Sequence, residues 1–296
     1  MPKAQVNGVA LHYQQMGEGP DLVLLHGLAG NLAFWYPSIS AKLGAGYRVT
    51  VFDLRGHGYS STPGSGYTTR DMAEDLRGLL EHLKIESARL VGHSYGGAVA
   101  LHFSVLCPDR VVSLVLADVH VRSLHAFSNV PDSPHWSLLQ QKLAENGLTI
   151  PAESPDFILR LLEAVARRRL EGTLKEDAFK PLYVPLLTGS RRVAEQWLRL
   201  IEETTAIEDF KSIAGLTVGE IRKVHQPTLA LYGAMSHCLG SQKELVELLP
   251  NCTAGLIEGV GHFHPVVAPA VFGEIVCEFL GQVEPLSQLS QRGCRA

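Results

Sequence analysis

The chain has 296 residues, of which 46% are hydrophobic and 19% are charged, and its formal net charge is −4. This length and apolar content predict a globular protein with a sizeable buried core, either one α/β domain or a core with an inserted subdomain. The balance of charge excludes a basic footprint for nucleic acid or an anionic membrane, and no apolar run reaches the roughly 18–20 residues of a membrane span.

The N-terminus and the cysteines both point to the cytoplasm. The first residues, "MPKAQVNGVALHY", lack the apolar segment of a secretion signal. The cysteines are odd in number, widely spaced and without the pairing typical of metal ligands: they are Cys107, Cys238, Cys252, Cys277 and Cys294. We therefore expect reduced thiols in a cytoplasmic protein.

Strand-like and helix-like segments alternate along most of the chain. A hairpin signal at Asn7-Gly8 comes first. Short apolar runs follow: "DLVLLHG" from 21, "YRVTVFD" from 47, "ARLVGHS" from 88, "VVSLVLAD" from 111, "PTLALYG" from 227 and "TAGLIEG" from 253. Helical periodicity occurs between them, at 69–84, 96–106, 241–249 and 269–280. The alternation predicts the α/β class, with a mostly parallel central sheet covered by helices on both faces.

One long segment interrupts this alternation. Residues 121–222 hold amphipathic helical patterns but no strand-like run. Because a plain connection between strands is far shorter, we predict that 121–222 form a helical cap. Residues 1–120 and 223–282 would then form the core, and 283–296 a polar, frayed tail.

The strongest chemical motif is the pentapeptide from Gly92 to Gly96, which matches G-x-S-x-G. The motif ends a predicted strand and opens a predicted helix, the context in which such a turn exposes its serine. The flanking glycines permit the tight turn, and the start of the helix favours a developing oxyanion. Ser94 is therefore the predicted nucleophile.

A serine nucleophile needs a base and an oxyanion hole. His262 follows the last predicted strand and precedes the final helix, which makes it the predicted base. His264 is a competitor, although its place directly before Pro265 suits a fixed loop boundary. The oxyanion hole is predicted from the backbone N–H groups of Leu28, after the first parallel strand, and Tyr95, after the nucleophile.

At this point the chain resembles the α/β-hydrolase superfamily, in the branch with a helical cap and a serine nucleophile. The matching pieces occur in family order: "HG" at 26–27, "DLRGHGYS" at 53–60, "GHSYGG" at 92–97, "PDRVVSLVLAD" at 108–118 and "GVGHF" at 259–263. The resemblance implies acyl transfer to water through an acyl-serine. It also implies that Asp53, Arg55, Gly56 and Ser60 belong to a scaffold motif rather than to the catalytic groups.

The acid of the triad departs from the family pattern. In most members it lies three residues after the glycine that ends "LALYG", which is Ser236 here. A minority resembles this chain in carrying its acid after the preceding strand, where Asp118 lies. We predict Asp118 as the acid, with Glu258 as the runner-up, and we expect substitutions of Ser236 to be near neutral.

Other chemistries are disfavoured by the same residues. Epoxide hydrolases and haloalkane dehalogenases of this fold resemble one another in having an aspartate at the elbow, where this chain has Ser94. Six histidines lie in or near the motifs, but their spacing matches no ligand pattern; they are His26, His57, His93, His237, His262 and His264. We predict no metal, no cofactor and no nucleotide site.

The leading hypothesis is a serine hydrolase that acts on a small-molecule ester, thioester or related acyl substrate. Aromatic residues of the cap suggest an apolar surface for it: Trp136, Phe157, Tyr183 and Trp197. Two alternatives stay open: a carbon–carbon bond hydrolase or cofactor-free lyase or cyclase, and a ligand-binding or receptor-like protein with a vestigial triad. Substrate identity and oligomeric state are beyond the sequence.

Overall fold

The computed structural model describes residues 1–36, 38–124, 136–151, 156–175 and 190–283. Its strands are β1 (Lys3–Val6), β2 (Val9–Met16), β3 (Asp21–Leu25), β4 (Arg48–Phe52), β5 (Ala88–His93), β6 (Val111–Ala117), β7 (Thr228–Gly233) and β8 (Cys252–Ile257). Its helices are α1 (Ser38–Gly44), α2 (Thr69–His82), α3 (Tyr95–Leu106), α4 (Trp136–Glu145), α5 (Phe157–Glu171), α6 (Arg191–Glu203), α7 (Ala206–Lys211), α8 (Val218–Ile221), α9 (Leu239–Leu248), α10 (His264–Val267) and α11 (Pro269–Gln282).

The eight strands form one sheet in the order β1-β2-β4-β3-β5-β6-β7-β8. The first two pairings are antiparallel, and every pairing from β4 to β8 is parallel. The antiparallel start follows from the turn at Asn7 and Gly8, whose φ angles of 46° and 76° are those a two-residue hairpin requires. The predicted mostly parallel sheet is confirmed.

Alternating side chains of the strands supply two separate cores. On strand β3, Val23 and Leu25 pack into the core shared with α2, α3 and α9, whereas Leu22 and Leu24 pack into the core shared with α1 and α11. Because neighbouring strand residues point to opposite faces, a run that is apolar throughout must be covered on both sides. The prediction of helices on both faces is confirmed.

Helix α2 shows how local sequence sets the cover of one face. Thr68 caps the helix: its hydroxyl accepts from the backbone N–H of Asp71, whose side chain accepts from the N–H of Thr68 in return. Met72 and Leu76 then fall one turn apart on the buried side, against the sheet.

The strand register places the carboxyl ends of the central strands at one edge of the sheet. Leu25 of β3 pairs with Gly92 of β5, and Ala117 of β6 pairs with both His93 of β5 and Leu231 of β7. Ligand and catalytic sites of open α/β sheets lie at this edge. The residues that follow these strands therefore meet there.

The described residues between β6 and β7 form helices α4 to α8, joined by loops and turns, and α5 packs on α6. Among the predicted cap aromatics, Trp136, Phe157 and Trp197 belong to the apolar cluster on the α3 side of the sheet. Tyr183 lies outside the described residues, as do 284–296 of the predicted tail. Every helix in the described ranges is too short or too polar to cross a bilayer.

Candidate active site

Ser94 lies in a strained turn between β5 and α3, with φ 53° and ψ −124°. The glycines around it have no room for a side chain. A Cβ on Gly92 would lie 2.4 Å from Cα of Gly97, and a Cβ on Gly96 would lie 2.3 Å from the carbonyl oxygen of His26. The turn is therefore possible only with glycine at these positions, and it holds Ser94 at the edge where the strands end.

Three of the predicted residues form a chain of hydrogen bonds. Oγ of Ser94 lies 3.1 Å from Nε2 of His262, and Nδ1 of His262 lies 3.1 Å from Oδ1 of Asp118. The carboxylate accepts only, so the proton of the imidazole is on Nδ1 and the lone pair of Nε2 faces Ser94. The geometry suits a base that takes the serine proton.

Asp118 directly follows β6, has a positive φ of 53° and is fully buried. Its Oδ2 accepts from the backbone N–H of Gly233 at 2.8 Å, and its Oδ1 accepts from the hydroxyl of Ser236. Nε2 of His264 lies 3.5 Å from Oδ2. Both carboxylate oxygens of this fully buried side chain therefore have hydrogen-bond partners, as buried polar groups require.

Ser236 has a part in the site that the sequence did not predict. Its hydroxyl donates to Asp118 and accepts from the backbone N–H of Cys238 at 3.0 Å. Ser236 thus donates a hydrogen bond to Asp118, the residue that follows the neighbouring strand β6. Our expectation that substitutions of Ser236 are near neutral does not fit this contact.

Neither Glu258, the alternative acid, nor His264, the alternative base, takes the predicted place in the hydrogen-bonded series. Glu258 is exposed just after β8, whereas Nδ1 of His262 is directed at Asp118. His264 is fully buried at the start of α10, on the other carboxylate oxygen of Asp118. Only His262 of these two histidines is within hydrogen-bond distance of Ser94.

Burial sets the protonation of His262. Desolvation, helped by the nearby His120, lowers the pKa of His262 to about 3, so that its imidazole is neutral near pH 7. A neutral imidazole is the form that can accept a proton from Ser94.

His93 forms a hydrogen bond to the backbone of His262, a role that sequence reasoning did not predict. Its Nε2 donates to the carbonyl oxygen of His262 at 2.9 Å, and its ring stacks on Phe34 at 4.6 Å between centroids. Burial lowers the pKa of His93 to about 3, which keeps it neutral. The only available signal was its place directly before Ser94 in the motif.

The loop after β3 brings the predicted oxyanion donor to the nucleophile. A Cβ on Gly27 would lie 2.9 Å from Cβ of Ser94, so this loop touches the serine. Nε2 of His57 accepts from the N–H of Ala29 at 3.2 Å and fixes the loop. Leu28 and Tyr95 both line the cavity beside Ser94, and the N–H of Tyr95, the first residue of α3, has no partner inside the helix.

The segment from Asp53 to Ser60 connects the loop after β3 to neighbouring elements through hydrogen bonds and an ion pair. Oδ1 of Asp53 accepts from the N–H of Leu32 at 2.7 Å, and the hydroxyl of Ser60 donates to the carbonyl of Asp53 at 2.6 Å. Arg55 forms a buried ion pair with Asp75 at 2.5 Å. These contacts tie the loop after β3 to β4 and α2, which fits a scaffold role.

A cavity of about 290 Å³ lies over Ser94. Helices α4, α5 and α7 contribute to its apolar wall through Trp136, Leu139, Leu159, Leu162 and Phe210. An apolar pocket with a few polar groups at one end is the usual form of a small-molecule site.

The loop after β7 adds a second cluster. His237, Cys238 and His262 place one nitrogen or sulfur atom each within 4.8 Å of one another, and Sγ of Cys238 lies 3.8 Å from Nδ1 of His262. The sequence predicted no metal ligands, because these residues are distant in the chain and match no spacing. The cluster exists only through the fold.

Comparison with known proteins gives a consistent picture. Residues 20–269 match a family model described as alpha/beta hydrolase fold. The chain is 31% identical to a soluble epoxide hydrolase of Corynebacterium sp. (strain C12), covering 90% of this chain and 92% of that protein. It is 41% identical to RutD of Variovorax paradoxus (strain S110), a proposed carbamate hydrolase, covering 92% and 97%. The crystal structure of the enol-lactonase from Burkholderia xenovorans LB400 superimposes with a TM-score of 0.69 at 23% identity, covering 95% and 100%.

Proposed function

The chain belongs to the α/β-hydrolase family, and we propose that it is a serine hydrolase that cleaves small esters, thioesters or related acyl compounds. The observation that carries the proposal is the hydrogen-bonded chain from Ser94 through His262 to the buried carboxylate of Asp118. Ser94 and His262 of this hydrogen-bonded series line an apolar cavity that can hold an acyl group.

The proposed reaction proceeds through an acyl-serine. Oγ of Ser94 attacks the substrate carbonyl while Nε2 of His262 takes the hydroxyl proton. Asp118 holds the imidazole in the required tautomer and stabilises its positive charge. The N–H groups of Leu28 and Tyr95 bind the oxyanion. His262 then protonates the leaving group, and water releases the acid by the same steps.

The substrate class rests on the nucleophile. Relatives of this chain include a soluble epoxide hydrolase and a proposed carbamate hydrolase, and a structural neighbour is an enol-lactonase. Lactones and carbamates contain an acyl carbonyl, which a serine hydroxyl attacks. The epoxide hydrolases that this fold resembles have an aspartate at the position of Ser94. Ser94 therefore favours acyl substrates.

The helices between β6 and β7 are proposed as the cap that selects the substrate. Leu159 and Leu162 of α5 face the cavity, and Phe210 of α7 closes it beside Tyr95, at 5.2 Å between ring centroids. The ligand-binding alternative depended on the missing acid after β7. With Asp118 beside His262, that absence no longer argues against catalysis.

Labelling with a fluorophosphonate probe tests the proposal. The folded wild-type protein should be modified at Ser94, because an activated serine attacks the phosphorus and expels fluoride. Ser94→Ala should stay unlabelled, and Ser104→Ala, which removes a buried hydroxyl that donates to Ala100 in α3, should be labelled like wild type. An unlabelled wild type with a normal circular dichroism spectrum would refute the serine-enzyme function.

A further inference from the structure

We propose that His237, Cys238 and His262 form a binding site for a single thiophilic divalent cation such as zinc. Occupation of the site removes the base from catalysis. The binding part of the proposal depends only on the cluster, and the inhibitory part rests on the proposed function.

The distances suit a four-coordinate ion. Zinc binds sulfur at about 2.3 Å and imidazole nitrogen at about 2.0–2.1 Å, so tetrahedral ligands N and S lie roughly 3.5 Å apart. Sγ of Cys238 and Nδ1 of His262 are 3.8 Å apart, and all three ligand atoms lie within 4.8 Å of one another. Separations of up to 4.8 Å exceed the tetrahedral spacing by at most about 1.3 Å, which is the movement that binding requires.

The ligands are held by fixed backbone and are accessible from the cavity. The N–H of Met235 donates to the carbonyl of Val260 at 3.0 Å, which ties the loop carrying His237 and Cys238 to the loop carrying His262. All three ligand side chains line the cavity. In the part of the chain that the structure describes, the contact of His237 is with the ring of His262, at 4.9 Å between centroids, and not a hydrogen bond.

The donor set selects the class of ion. One thiolate and two imidazoles favour zinc and similar borderline or soft ions over magnesium and calcium, which prefer oxygen. Oδ1 of Asp118, 3.1 Å from Nδ1 of His262, adds a negative charge beside the site. Binding requires the thiolate of Cys238; its proton goes to solvent, and the charge of the ion offsets the cost of a buried thiolate.

An ion bound to Nδ1 of His262 prevents the imidazole from acting as a general base. The nitrogen loses its proton and its hydrogen bond to Asp118. The imidazole then cannot accept the proton of Ser94 and be stabilised as an imidazolium, since a second positive charge already occupies the ring. Inhibition should therefore be reversible on removal of the ion by a chelator.

Cobalt(II) titration tests the binding without any use of activity. Cobalt replaces zinc in such sites and shows a thiolate-to-cobalt charge-transfer band in the near ultraviolet. We expect this band at one cobalt per chain in wild type and equally in the inactive Ser94→Ala variant. Cys238→Ser should lose the band, and Cys277→Ser, which changes a cysteine outside the cluster, should keep it. A band that survives Cys238→Ser, or none in wild type, overturns the site.

Zinc inhibition tests the consequence. With an activated p-nitrophenyl ester, we expect zinc to inhibit wild type and a chelator to restore its rate. The zinc concentration for half inhibition, measured against each variant's own metal-free rate, should rise in Cys238→Ser and His237→Gln by more than the roughly 10- to 100-fold that loss of an outer-shell partner costs. Equal sensitivity of these variants and wild type contradicts the inhibitory role. A protein that binds cobalt through Cys238 but hydrolyses no ester would contradict the proposed function and leave the metal site standing.

Discussion

At the residue scale, the site depends on the carboxylate of Asp118, which follows β6 instead of β7, the strand after which the acid is expected. The side chain of Asp118 leaves the end of β6 and still reaches Nδ1 of His262, because β6 and β7 are neighbours and end at the same edge. Ser236, three residues after the end of β7, lies at the position expected for the acid, and its hydroxyl donates to Asp118. The two positions thus share one small volume behind the histidine.

Asp118→Asn should reduce kcat for an activated ester by about 10³- to 10⁴-fold. The amide removes the charge that stabilises the imidazolium and favours the wrong tautomer of His262. Glu258→Gln is the matched control, because it makes the same chemical change at an exposed acid and should stay near wild type. Equal rates for Asp118→Asn and wild type would exclude Asp118 as the acid.

Because residues 118 and 236 share this volume, we expect that the carboxylate can be transferred from position 118 to position 236. In the double variant Asp118→Asn with Ser236→Asp, the new carboxylate starts from a position whose hydroxyl already contacts Oδ1 of Asp118. We expect kcat at least tenfold above that of Asp118→Asn alone, as measured with the same ester. A double variant no faster than Asp118→Asn would show that residue 236 cannot reach His262.

At the element scale, the turn between β5 and α3 is the feature that allows no substitution. Gly92 and Gly96 are packed against backbone rather than against side chains that could rotate away, as the carbonyl oxygens of His26 and Leu25 show at Gly96, 2.3 and 2.6 Å from an added Cβ. The left-handed φ of Ser94 is a further local cost that this packing sustains. The catalytic element is thus held by the closeness of β3, β5 and α3.

Gly96→Ala should lower the free energy of unfolding by about 3 kcal/mol, the upper end of the usual cost of overpacking, since overpacking against backbone cannot be relieved by a side-chain rotation. Gly281→Ala is the control: Gly281 lies in α11 with no atom within 4 Å of an added Cβ, and alanine there should stabilise by about 0.5–1 kcal/mol. Denaturant unfolding measures both. Equal stability of Gly96→Ala and wild type would contradict the close packing of the turn.

At the scale of the whole molecule, the chemistry and the pocket come from different parts of the chain. The sheet edge supplies the residues proposed as nucleophile, base and acid, while helices α4, α5 and α7 contribute apolar side chains to the cavity wall. The reaction and its substrate preference can therefore change separately, because a residue of α5 can reshape the cavity without a contact to Ser94.

Leu159→Trp should shorten the preferred acyl chain. Leu159 is 7% exposed and lines a cavity of about 290 Å³, so a larger side chain removes a substantial part of the space. We expect kcat/KM for p-nitrophenyl octanoate to fall at least tenfold relative to p-nitrophenyl acetate. Leu170→Trp, at the far end of the same helix, is the control. An unchanged ratio in Leu159→Trp would show that the acyl group binds elsewhere.

Local patterns were enough for the scaffold and for part of the site. The continuous apolar runs predicted the parallel strands because a strand buried on both faces must be apolar throughout, and the glycines around Ser94 predicted the turn because only they fit it. The division into core and cap stays a prediction, as do the catalytic roles and the cytoplasmic location. The donor role of Ser236 and the support from His93 were not predicted, since neither residue type signals its partner.

The sequence by itself determined the α/β class, the nucleophile turn and the set of candidate residues, because these depend on neighbours in the chain. Only the tertiary structure decided which candidates meet. Asp118 and His262 are 144 residues apart, and the cysteine beside His262 is 24 residues from it. Their contacts follow from the order and register of the parallel strands, which bring distant strand ends to one edge, and no local pattern encodes that distance.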